Sequence, residues 1–268
     1  MKSNTTENED TKIMKHIKRK FVHEYKMNDD AYQFALKQLP KFPTNAFSIP
    51  KEKVAHLITT DKTFIQCFTY KINGTPIPIP EPNPVVIYFS NAQGFLLSIE
   101  EFRINLFEEI KKLPYEIGEV QNLMFGFYSV VTSFVSSLSN SIEAFVNSKI
   151  PKDLVIDNPR WKKKKRKMNK YEILRHLSLE EKIKYPIAQV MGKNFMSQKG
   201  YTEIKKLVEL RNDITHAKSD IEHNINYYQK LYEDTLDFDY ISTIEAAKSL
   251  INFYEPNLIE PCNCGQKH

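Results

Sequence analysis

Residues 117–149 constrain this chain more than any other stretch. Apolar side chains stand at 123, 124, 127, 130, 131, 134, 135, 138, 142, 145 and 146. That spacing of three and four puts them on one face of a single long helix. No charged residue occurs between 120 and 142, so a membrane span has to be weighed. Eight of residues 123–142 are Ser, Thr or Asn, which argues against a span. These small polar residues form a second face that a neighbouring helix or subunit can approach closely.

Further helical stripes follow. A helix over about 99–112 is expected from the capping box Ser98-x-x-Glu101 and from Phe102, Leu106, Phe107 and Ile110. Ser178-x-x-Glu181 reads as a second capping box, and Pro186 is expected to kink or break the helix after it. Residues 200–216 carry Ile204, Leu207, Val208, Arg211 and Ile214 on one side. Residues 239–254 carry Ile241, Ile244, Ala247, Leu250, Ile251 and Tyr254. Four apolar-striped helices are the ingredients of an antiparallel bundle. The expected fold class is mainly α, with an α+β region of short strands before the bundle.

The first part of the chain differs in character. Residues 1–12 are polar and expected to be disordered. Over 13–39, Ile13, Ile17 and Phe21, then Tyr32, Ala35, Leu36 and Leu39, suggest two helices, with MNDD capping the second. His16 and His23 share one face of the first. TFIQCFTYKI (63–72) and PVVIYFS (84–90) read as strands, joined by a stiff proline-rich loop over 74–84. The expected division is therefore 13–115, 116–256 as the bundle, and a flexible tail over 257–268.

Composition removes several function classes. The chain has 7 Gly, where average usage gives roughly 19. No G-x-G-x-x-G or G-x-x-x-x-G-K occurs, which speaks against a Rossmann dehydrogenase or a Walker ATPase. No H-E-x-x-H and no nucleophile elbow is present. Cys67, Cys262 and Cys264 do not make a disulfide scaffold, so a reducing cytoplasm is the expected compartment. The N-terminal residues lack the apolar core of a signal peptide. Cys262, Cys264 and His268 fall within seven residues, but a zinc site normally takes four ligands. No metal or cofactor is expected.

The net charge is +5, yet residues 162–167 (Lys162, Lys163, Lys164, Lys165, Arg166 and Lys167) are six consecutive cations. Without them the chain stands at −1. Such a strip suits a polyphosphate, each contacted phosphate releasing a counterion; it equally suits a solvated loop.

LVELRNDITHAK ends the helix over 200–216. Arg211 lies on its apolar stripe, where a cation needs a partner or a task. Asn212 follows it, and His216 stands five residues on. With LSLEEKIKYPIAQVMG before this motif and SNSIEAFVN in the long helix, residues 118–254 resemble a HEPN domain. The resemblance implies a four-helix bundle and, in many members, a metal-independent endoribonuclease of toxins or phage defence that works as a two-fold dimer, with an antitoxin or defence partner. It also allows a catalytically silent bundle that binds a protein or nucleotide.

The residue types suit RNA, which carries its own nucleophile in the 2′-hydroxyl. His216 can move protons, Arg211 can hold phosphate oxygens, and Asn212 can orient either. On a straight helix, five residues leave Arg211 and His216 about 140° apart. Convergence then needs a loosened helix near Thr215 or a second chain. In the plainer alternative, Arg211 pairs with Glu143 or Glu209 and His216 sits at a helix C-terminus favoured by the dipole. Tyr227, Tyr228 and Tyr232 can stack bases or cover the bundle end. His223 falls in SDIEHN, which reads as a turn.

Overall fold

The computed structural model describes residues 14–38, 55–157, 159, 167–217 and 224–264. They are mainly helical, with short antiparallel strands. The chain divides into Arg19–Ile87 and a second unit made of the residues up to Lys18 with those from Tyr88 onward. The expected boundary at 115/116 falls inside the second of these units.

Within Arg19–Ile87 the elements are β1 (Glu24–Lys26), α1 (Asp29–Gln38), β2 (Ala55–Ile58), β3 (Thr63–Ile72) and β4 (Thr75–Pro80). The first expected helix is absent from the described residues: Phe21 bridges to Pro82, and 24–26 pair with Thr63–Ile65. Three apolar positions, Ile13, Ile17 and Phe21, are a weak helical stripe, and strand partners win over it. The second expected helix forms as α1, where Asn28 Oδ1 accepts the Ala31 N–H at 2.8 Å.

β3 is the hub of the sheet, pairing antiparallel with β1, β2 and β4. The proline-rich segment is a strand, not a loop. Pro76, Pro78 and Pro80 lie opposite Lys71, Thr69 and Cys67. Having no N–H, they cannot donate to β3. The bonded pairs are therefore Thr75–Ile72, Ile77–Tyr70 and Ile79–Phe68, and every proline faces the outer edge. Asn73 (φ 50°) and Gly74 (φ 83°) make the two-residue turn between the strands. Both need the left-handed region, as a type I′ turn requires.

α2 (Pro84–Lys111) spans the division at 87/88, and most of its length belongs to the other unit. Pro84 takes the first helical position, and Asn83 Oδ1 accepts the Val85 N–H at 3.0 Å. Residues 84–90 are thus helix rather than strand, and Ser98 lies inside α2 rather than at its start. Val85, Val86, Phe89, Ala92, Leu96, Ile99 and Leu106 are buried at helical spacing.

α3 (Ile117–Lys149) agrees with the expected long helix and buries Phe127, Val131, Phe134, Val135, Leu138, Ile142, Phe145 and Val146. Each such side chain contributes about 1.5–3 kcal/mol. Gly126 admits the ring of Phe102 from α2; a Cβ there would lie 2.3 Å from it. A hairpin of β5 (Val155–Asp157) and β6 (Lys167–Asn169) follows.

Then come α4 (Lys170–His176), α5 (Leu179–Lys182), a π-helical turn over Ile183–Ile187 and α6 (Ala188–Met191). The Ser178–Glu181 capping box forms as expected, and Asn169–Glu172 makes another. Pro186 does not break the helix. The wider turn accommodates its ring and missing N–H, and helix continues to Met191.

α7 (Tyr201–Thr215) and α9 (Tyr240–Tyr254) stand where the periodicity puts them, with α8 (Asn224–Leu236) between them. α3, α7 and α9 pack on one another. Phe134 meets Tyr240 edge-on at 5.3 Å, and Tyr254 lies over Phe145 at 6.3 Å. Burial pushes the Tyr240 and Tyr254 hydroxyls up from their ordinary pKa. Among the described residues no helix is long and apolar enough to cross a membrane.

Candidate functional site

α7 positions the Arg–Asn–His group. Ile204, Leu207 and Leu210 are its buried side chains. Val208, Arg211 and Ile214 are only half-buried, so Arg211 flanks the packed face instead of lying within it. Asn212, Thr215 and His216 are exposed. The helix stays regular through Thr215, whose hydroxyl donates to the Arg211 carbonyl at 2.7 Å. His216 leaves the helix at φ −118° and ψ 37°, its N–H donating to the Asn212 carbonyl at 2.8 Å.

Arg211 Nη1 donates to Asn212 Oδ1 at 3.3 Å. Among the described residues Arg211 has no ion pair, and the His216 ring has no hydrogen-bond partner. Both carboxylates that would neutralise Arg211 are engaged elsewhere. Glu143 accepts from Lys182 Nζ at 2.7 Å, and Glu209 lies 3.5 Å from Lys205. Lys182 is a residue the sequence reading missed: an ammonium buried to 1% exposure between α5 and α3.

Of the basic strip, Lys167 is exposed in β6 opposite Asp157. Lys162, Lys163, Lys164, Lys165 and Arg166 lie outside the described residues, as does His223. Tyr228 and Tyr232 belong to α8 and are 40% exposed, and Tyr232 meets Tyr128 of α3 edge-on at 5.3 Å. The side chain of Tyr227 lies outside the described residues. Tyr201 at the start of α7 donates to Glu180 Oε1 at 3.0 Å; burial first, then this bond, push its hydroxyl up to about 12.

Of the tail expected to be flexible over 257–268, residues 257–264 are docked, and His268 lies outside the described residues. Leu258 and Ile259 are buried, and the Asn252 side chain bonds both the N–H and the carbonyl of Ile259 at 2.9 Å. His16 does not share a helix face with His23. It lies beside Cys262 and Cys264, the donor atoms of all three within 4.8 Å of one another. The Cys-x-Cys spacing was legible in the sequence; the third donor, remote in the chain, was not. His23 is exposed near β1, its carbonyl accepting the Gln66 N–H at 3.0 Å. In comparisons with protein families, curated proteins and solved structures, nothing matches this chain.

Proposed function

We propose that the helical unit is a HEPN-type antiparallel bundle and that the chain is a metal-independent endoribonuclease working as a two-fold dimer in toxin or phage-defence biology. The observation that carries this reading is Arg211, half-buried at the end of α7 beside exposed Asn212 and His216, with Glu143 and Glu209 engaged by lysines. An arginine fork without a carboxylate suits phosphate oxygens.

In the proposed reaction His216 takes the proton of the RNA 2′-hydroxyl. The 2′-oxygen bonds to phosphorus, the bond from phosphorus to the 5′-oxygen breaks, and that oxygen receives a proton. The products are a 2′,3′-cyclic phosphate and a 5′-hydroxyl. Arg211 stabilises the crowded phosphorane, and Asn212, bonded to the guanidinium, holds its orientation. The angle of about 140° between Arg211 and His216 on a straight helix supports a shared cleft to which each of two chains gives a pair. A second His216 then serves as the acid.

The test is incubation of the purified chain with total RNA, with EDTA added at the start of the assay, beside R211A, N212A and H216A. Cleavage lost in R211A and H216A supports the reading. Cleavage unchanged in both sinks it and leaves a catalytically silent module that binds protein or nucleotide.

A further inference from the structure

The structure assigns His16, Cys262 and Cys264 as three ligands of one thiophilic divalent cation, for which zinc is the best fit; we propose this as a metal site that ties two remote chain segments together. It is independent of the RNA reaction, and its test needs no RNA.

Backbone pairing builds the site. The Cys262 N–H donates to the His16 carbonyl at 2.6 Å, and the Lys18 N–H donates to the Glu260 carbonyl at 2.8 Å. Ile17 bridges to Pro261 between them, and Lys18 pairs with Glu260. The clamp of Asn252 on Ile259 fixes the approach to Cys262. The first thiol and the imidazole thus hang from paired main chain, and Cys264 follows two residues on.

The spacing agrees with a tetrahedral centre. Cys264 Sγ lies 3.5 Å from His16 Nδ1. Zinc bonds of about 2.3 Å to sulfur and about 2.0–2.1 Å to nitrogen, at the tetrahedral angle, set sulfur and nitrogen about 3.5–3.6 Å apart. A thiol–imidazole hydrogen bond would explain that one contact. It does not explain a second thiol within 4.8 Å of both atoms. No disulfide joins Cys262 to Cys264, so the two sulfurs are not spent on each other.

The donor set decides the class of ion. Two thiolates and an imidazole select zinc or another thiophilic ion over calcium and magnesium, which want oxygen ligands. Binding releases the thiol protons, so affinity rises with pH. Cys264 is exposed and Cys262 half-buried, so the fourth position is accessible to a water ligand. Cys67, buried on β3 with its thiol pKa pushed up by burial, belongs to neither segment and serves as the control.

The experiment uses the full chain, purified reduced and without chelator. Zinc per chain is measured by mass spectrometry, and cobalt(II) is titrated into metal-stripped protein. The expected result is one zinc per chain in wild type and C67S, with thiolate-to-cobalt charge transfer in the ultraviolet. The C262S/C264S double variant should lose both signals, and H16N should bind on the order of tenfold more weakly or worse. Circular dichroism shows whether the variants keep their helices, and the wild-type cobalt spectrum needs no variant. Wild type holding no more zinc than the double variant overturns the proposal. So does a cobalt spectrum without thiolate charge transfer.

Discussion

Glu143 on α3 gives its carboxylate to Lys182 on α5, not to Arg211 on α7. The Lys182 side chain is 1% exposed and that of Glu143 37%, so the ammonium depends on the pair more than the carboxylate does. E143A leaves a buried cation unpaired and should cost about 3 kcal/mol. K182M keeps the apolar stem and leaves Glu143 within reach of water, costing about 1.5 kcal/mol or less. Urea denaturation of both variants measures the difference, and equal losses would contradict the assignment.

His216 and Arg211 should fail in chemistry before they fail in binding. H216A is expected to bind RNA almost as wild type does while cleaving it on the order of 10²-fold more slowly or worse. R211A should slow cleavage comparably and also weaken binding if, as proposed, its guanidinium holds a phosphate. Single-turnover rates at saturating RNA, beside filter-binding affinities, separate the two effects. Wild-type rates in H216A would assign any nuclease activity to another source.

Residues 162–167 should behave in the opposite way. Neutralising Lys162–Lys167 should weaken binding to every RNA sequence alike and flatten its dependence on salt, since the slope counts phosphates contacted. Turnover at saturation should hardly change. A salt slope identical to wild type would show that the strip touches no RNA.

Tyr201 predicts a loss of stability in alkali. Its hydroxyl titrates near 10.0 in the unfolded chain and near 12 in the fold. Below pH 10 both states keep the proton. Between 10 and 12 the unfolded chain releases it first, so stability falls as pH rises. Y201F should lose less stability than wild type between about pH 8 and about pH 11, and should be about 1 kcal/mol weaker at neutral pH for want of the Glu180 bond. A residual slope is expected from Tyr240 and Tyr254, whose pKa values burial also raises. Equal alkaline losses would count against the Tyr201–Glu180 bond.

Long periodic stretches were legible in the sequence; segments whose state depends on a remote partner were not. α3 and α9 follow their apolar spacing almost to the residue, and the Ser178–Glu181 box is where its four residues put it. Residues 84–90 are rich in β-branched and aromatic side chains, which favours strand on local grounds. Yet Val85, Val86, Phe89 and Ala92 already step at helical intervals behind Pro84. Asn73-Gly74 is itself a hairpin signal, while the prolines after it disfavour a strand on local grounds. The segment around His16 takes its extended form from residues 260–262, and nothing nearby in sequence says so. Arg211 and His216 were readable as residue types, but the engagement of Glu143 by Lys182 required three-dimensional neighbours.

The pairing of residues 16–18 with 260–262 has a consequence for the order of assembly during synthesis. Lys18 and Glu260 are 242 positions apart. The unit they belong to is begun by residues that precede Arg19–Ile87, and it waits for residue 262 before that edge can close. Arg19–Ile87, by contrast, is one unbroken stretch whose strand partners all emerge early. Folding should therefore run from an inner insert outward. A nascent chain stalled before residue 260 would carry the sheet finished while His16 still lacks both thiols.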